Sequence, residues 1–244
     1  MNPNNITSKY YNLVSSPLKG IDVTDEEIGL INRLVPNGSN ILDVGAGTGR
    51  HSLILSRLGF NVTAIDSSRS MLNELKIKDD KKLINVINKN IYKFNTTDKF
   101  DLITLFWNSF NEIALTKNNA LLLLKNLKRL LKPNGQILIN IDDSNSIDPA
   151  AFNFETIKFD GELKYKMKWT TSKYFAKTNT SVSREEVEIY KGDKLLDSRV
   201  TFIRQRYWSF SEIELLCEIC NLKVEKQSLR TSNELYLVLT TLSK

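Results

Sequence analysis

Three glycines at alternate positions, Gly45, Gly47 and Gly49, separate an apolar run ending at Val44 from a helix-forming run that begins at Arg50. Asp66 closes the next apolar run, residues 61–65. Glycines in such a loop let the chain turn tightly and bring backbone N–H groups against a ligand that side chains would keep away. An acid at the end of the following strand can accept hydrogen bonds from both hydroxyls of a ribose. The combination reads as a site for a cofactor that contains a nucleoside.

Small differences decide which cofactor. A dinucleotide fingerprint needs a third glycine three positions after Gly47, where Arg50 stands, so a nicotinamide dehydrogenase is the weakest alternative. Asp43, two residues before Gly45, places a carboxylate under the loop, which suits a ligand bearing an ammonium and a sulfonium better than a pyrophosphate. Leu42-Asp43-Val44-Gly45-Ala46-Gly47-Thr48-Gly49 resembles the first motif of class I S-adenosylmethionine (SAM)-dependent methyltransferases. Residues 100–106 resemble the fourth strand of that family, and Leu131-Lys-Pro-Asn-Gly135 resembles its entry to strand five, with Asn134 in place of the usual first glycine.

The resemblance implies SAM as the cofactor and a cofactor set spread over four strand ends. Asp43, Gly45, Ala46, Gly47, Gly49 and Arg50 come from the first loop, and Asp66, Ser67 and Met71 from the second strand and its helix. Asn90 and Ile91 follow the third strand, where many relatives carry an Asp for the adenine amino group, and Phe106 follows the fourth. His51, the sole histidine, is expected to pack around the cofactor loop with Arg50 rather than to act in catalysis.

Methyl transfer from a sulfonium is an in-line displacement, so positioning and exclusion of water carry most of it. Candidates for the acceptor side are Trp107 and Asn108, which leave strand four at the ligand-binding edge, and Asp142, which leaves strand five there beside Asp143. Asp142 would receive an ammonium or hydroxyl, or cap its loop. Arg206, before Tyr207 and Trp208, would lie near the substrate or stack on the tryptophan. Tyr10 and Tyr11 resemble the lid tyrosines of glycine and sugar N-methyltransferase-like enzymes, which makes Tyr11 a catalytic candidate. The family's Asn/Asp-Pro-Pro-Tyr sequence for base amines and glutamine amides is absent.

The elements that must hold these residues alternate strand and helix through residue 148. A capping box, Thr24 to Glu27, opens a helix to about Leu34; strands follow at 40–44, 61–65, 83–87, 100–106 and 136–141. Leu53, Ile54, Leu55 and Leu58 are expected to face the sheet, and Ser67 or Ser68 to cap the helix with Met71, Leu72 and Leu75. The fold class is α/β: a doubly wound, mostly parallel, seven-stranded Rossmann-like sheet with an antiparallel β insertion. Residues 1–148 form an N-terminal lid and cofactor-binding core, and 149–208 the insertion, with strand-like runs at 155–159, 163–170, 187–190 and 200–207. Residues 209–244 add a helix capped by Ser211 and the last two strands.

Composition narrows the partners. The chain has 244 residues and a formal charge of +6, with lysines spread at helical or strand spacing as on solvated faces. Lys164, Lys166, Lys168 and Lys173 on the insertion keep an RNA or protein acceptor open without favouring it, and a SAM-binding protein without turnover is a further alternative. Cys217 and Cys220 end a helix, with a single histidine elsewhere, so neither a redox pair nor a metal site is expected. No apolar run reaches the roughly 20 residues of a membrane span, and no signal peptide is read at the start, so a cytoplasmic enzyme is expected. A roofed pocket suits a small-molecule acceptor methylated on N or O, and the roof could also serve a homodimer.

Overall fold

The computed structural model describes residues 21–145, 148–230, 232 and 234–242; Tyr10 and Tyr11 lie outside them. In chain order the core comprises α1 (Ile21–Leu34), β1 (Asn40–Val44), α2 (Arg50–Arg57), β2 (Asn61–Asp66), α3 (Arg69–Lys78) and β3 (Asn85–Asn88). It continues with β4 (Phe100–Leu105), a short helix α4 (Ser109–Ile113), α5 (Lys117–Leu130) and β5 (Leu131–Ile141). Four strands follow, β6 (Asn153–Asp160), β7 (Leu163–Phe175), β8 (Thr180–Lys191) and β9 (Lys194–Arg206), then α6 (Phe210–Ile219), β10 (Leu222–Gln227) and β11 (Leu235–Thr241).

Seven strands form one sheet in the order β10-β11-β5-β4-β1-β2-β3, with β11 antiparallel to both its neighbours and the other pairs parallel. The chain runs outward from β1 to β3 and then returns to the other side of β1, so the strand ends of β1 and β4 open a crevice between them. Alternation along each strand fills two cores. Leu42, Val44 and Ile103 pack with Leu123 and Leu127 of α5 and Ile213 and Leu216 of α6, while Ile41 and Leu102 pack with Ile31, Leu55 and Leu75 of α1 to α3.

The second sheet, β6-β7-β8-β9, is antiparallel throughout. Its own apolar cluster is small, comprising Tyr165, Met167, Val187 and Ile189. Its return to the core is pinned by Trp208, which is fully buried, donates its indole N–H to Ala114 O at 3.1 Å and meets the Phe110 ring edge-on. Trp208 also bridges Asp143 at the end of β5.

Several local expectations need correction. α1 starts at Ile21, so Thr24 and Glu27 are buried inside the helix rather than forming its cap. α2 buries His51, Ser52, Leu55 and Ser56, whereas Leu58 is exposed and Leu53 and Ile54 are half-buried. The reason is the acid beneath: Asp43 draws the Ser52 hydroxyl inward, and Glu27 draws His51. The last helix is capped by Ser209, with Glu212 completing a capping box, and not by Ser211. β3 begins at Asn85, two residues after the expected start. β7, β8 and β9 are longer than their apolar runs because their alternation continues through polar residues such as Ser181 and Ser183, both fully buried.

Candidate functional site

At the carboxyl edge of β1, β2, β3 and β4 the loops enclose a cavity of about 510 Å³. Its floor is the glycine loop. Gly47 lies at φ 56 and donates its N–H to the Asp66 carboxylate at 2.9 Å. That left-handed backbone suits glycine, and a side chain there would stand in otherwise open space. Gly45 is held to Ile65 O at 2.9 Å, and a Cβ on it would come within 2.5 Å of Ser109 Oγ, so loops after β1 and β4 touch only because glycine is present.

Asp66 ties two loops together, since its other carboxylate oxygen accepts the Ser68 N–H at 2.7 Å. Burial raises its pKa, opposed by the N–H groups of Ser68 and Gly47. Ser68 also caps α3, accepting from Met71 N. Asp43 is buried with both carboxylate oxygens engaged, one by Ser52 Oγ at 2.5 Å and one by Thr104 Oγ1 at 3.0 Å. It borders the cavity but is first of all the brace that fixes the loop's base.

Of the cofactor residues expected from the sequence, Ala46, Arg50, Ser67, Met71, Asn90, Ile91 and Phe106 line the cavity together with Asp43, Gly45, Gly47 and Asp66. Gly49 does not; it turns the chain into α2, where a Cβ would collide with Leu75. Asn90 is solvent-exposed, and its side-chain oxygen accepts the Tyr92 N–H at 2.9 Å, which leaves one lone pair for a ligand. Arg50 stacks over Trp107, its guanidinium carbon 3.4 Å from the ring centroid, and the pair forms part of the wall.

The acceptor-side candidates divide. Trp107 lines the cavity. Asn108 and Asp142 meet each other, the Asn108 amide donating to the Asp142 carboxylate, and neither is among the lining residues. Trp107 and Asn108 both adopt left-handed φ, 55 and 61, a conformation that costs about 1–3 kcal/mol in a bulky residue and concentrates at functional loops. Arg206 is not brought to the cavity. Its guanidinium pairs with Glu212 at 2.9 Å and lies 3.9 Å over Trp208, fastening β9 to α6.

Two groups escaped sequence reasoning. Glu112 on α4 lines the cavity, open to it yet walled by protein, and desolvation with the charges of Asp66 and Glu185 pushes its carboxyl up to about 8. Glu27 lies wholly buried under the loop, 2.7 Å from His51 Nε2 and 2.7 Å from the Tyr236 hydroxyl, while His51 stacks on Phe106 at 4.2 Å. His51 itself lines the cavity, held in place by Glu27 and Phe106. Cys217 is buried and its thiol is raised to about 12 by desolvation, so it is chemically quiet. Among the described residues no cluster of His, Cys, Asp and Glu could hold a metal ion.

Residues 41–135 match the family described as Methyltransferase domain. Cypemycin N-terminal methyltransferase from a Streptomyces species is 27% identical over 123 residues, which are 50% of this chain and 50% of that protein. The chain spans about half the length of the curated relatives it matches. The sugar N-methyltransferase KedS8 from a Streptoalloteichus species superposes with a TM-score of 0.79 at 11% identity, covering 96% of this chain and 92% of that one. SAM-bound CalS10, an amino pentose methyltransferase from Micromonospora echinaspora, gives 0.76 at 14%, covering 93% and 95%. The chain therefore has the fold of class I SAM-dependent methyltransferases. No helix among the described residues is long and apolar enough to cross a membrane.

Proposed function

We propose that this chain is a SAM-dependent methyltransferase acting on a small-molecule acceptor at nitrogen or oxygen. The observation that carries this reading is the convergence on one cavity of a left-handed glycine backbone at Gly47, the Asp66 carboxylate and the Asn90 amide, in the order expected for methionyl, ribose and adenine groups. These residues fit SAM: Asp66 has lone pairs left for hydroxyls, and the space beside Gly47 is clear of side chains. Bound SAM would supply a methyl group on a sulfonium, whose C–S electron pair leaves with sulfur as the acceptor lone pair attacks. The chain's own part is to orient the acceptor and exclude water, through Trp107, Arg50 and the roofing sheet.

Charge placement speaks against an RNA acceptor. Lys164, Lys166 and Lys168 share the outer face of β7 and pair across strands with Tyr190, Glu188 and Glu186, and Lys166 also binds Glu155 at 3.3 Å. Two of the three lysines thus face glutamates, and the row lies on the face opposite Tyr165, Met167 and Trp169. The names of a sugar N-methyltransferase and an amino pentose methyltransferase among its neighbours accord with a compact acceptor. Equilibrium dialysis with radiolabelled SAM tests the reading. Saturable uptake at one site, competed by S-adenosylhomocysteine and not by NAD, is the expected result, and absence of uptake by folded protein would overturn it.

A further inference from the structure

The buried face of the second sheet is apolar at one end, where Tyr165, Met167, Val187 and Ile189 cluster, and polar at the other. Strand pairing sets Phe154, Trp169, Glu185 and Thr201 side by side across β6 to β9, and Ser183 next to Glu185 along β8 on the same face. Ser183 is fully buried, and Glu185 nearly so. Trp169 Nε1, Ser183 Oγ and Thr201 Oγ1 are buried without a hydrogen-bond partner among the described residues. Buried polar atoms are almost always paired, so three orphans around one carboxylate mark a place whose partner comes from outside the chain. This patch faces the cavity side: α4, which carries Glu112, packs against β9, and the Glu112 and Glu185 charges act on each other.

We propose that this patch is the acceptor subsite and that its acceptor is an amine bearing hydroxyl groups, held between Glu112 and Glu185 with its hydroxyls on Ser183, Thr201 and the Trp169 indole N–H. The inference rests on the methyl-transfer reading and adds the substrate class to it. Phe154 and Trp169, stacked at 6.1 Å, supply an apolar wall for the carbon skeleton. A cation relieves the mutual repulsion of the two acids, both of which burial holds above the usual carboxylate range. Arg199, across the strand pair from Val187, acts on Glu185 in the opposite sense. The bound ammonium favours the ionised form of Glu112, and for the amine to gain a lone pair one N–H proton then passes to that carboxylate, leaving a neutral amine and a carboxylic acid.

The test is calorimetric titration of the full chain, saturated with S-adenosylhomocysteine, using glucosamine, glucose and cyclohexylamine as probes. Glucosamine is expected to bind at least about tenfold more tightly than either of the others, which lack the amine or the hydroxyls. Glu185→Gln and Ser183→Ala should each weaken glucosamine by about tenfold, with no loss of melting temperature and with S-adenosylhomocysteine affinity unchanged. Undetectable glucosamine binding, equal binding of glucose, or unaltered binding by Glu185→Gln overturns the subsite. Loss of S-adenosylhomocysteine affinity in these variants also overturns it, by assigning the patch to the cofactor. Failure of the wild-type chain to bind S-adenosylhomocysteine at all would instead overturn the methyl-transfer reading.

Discussion

Asp66 does two jobs with one carboxylate: it accepts N–H groups from Gly47 and Ser68 and keeps lone pairs directed at the cavity. Replacing it by Ala should weaken SAM binding by about 1–3 kcal/mol, read by calorimetry, since buried hydroxyls lose a charged acceptor. Glu112 makes a prediction of opposite character. Its folded pKa of about 8 lies above the ordinary value of 4.5, so the folded chain holds a proton that the unfolded chain has released. Stability from the neutral carboxyl is complete below about 4.5 and is lost as pH rises toward 8. The melting temperature of the ligand-free chain should therefore fall between pH 5 and 8, and Glu112→Gln should flatten that fall. An equally steep fall in the variant would place the effect on other groups, Asp66 and Glu185 first, whose pKa values are raised in the same direction.

At the scale of elements, the loop between β1 and α2 works because its neighbours are braced from below. Asp43 holds α2 and β4 through two hydroxyls, and Glu27 of α1 holds α2 and β11 through His51 and Tyr236. Glu27→Ala takes the carboxylate from His51 Nε2 and leaves the Tyr236 hydroxyl only its longer bond to Glu234, a loss of about 1–3 kcal/mol that urea denaturation should register. Gly47→Val should abolish SAM binding while the circular dichroism spectrum keeps its shape, because the added atoms meet a strained φ and the cavity rather than the core. The glycine spacing and Asp66 were legible in the sequence, since a tight turn and a strand-end acid are local demands. The capping positions were legible only in part: Ser209 and Ser211 differ by two residues, and the choice falls to the one whose hydroxyl reaches Glu212 N.

The whole molecule is a mostly parallel seven-stranded sheet and a separate antiparallel four-stranded one, with Trp208 fully buried where the second returns to the first. Trp208→Ala should cost about 3–5 kcal/mol and expose the roof, seen as faster proteolysis within residues 149–208. Order of strands and helices, two-sided core and position of the cofactor loop all follow from apolar periodicity, which any stretch of chain displays by itself. The polar end of the second sheet's buried face is the opposite case. Ser183, Glu185 and Thr201 alternate as faithfully as any buried strand, but their polarity hides it, and β8 therefore reads seven residues short of its true start at Thr180. Glu112 and Glu185 are 73 residues apart in the chain. The sequence by itself determined where a nucleoside could be held, because glycine turns and strand-end acids are short-range. Only the tertiary structure decided what faces it, because burial of a polar side chain depends on neighbours that distant strands supply.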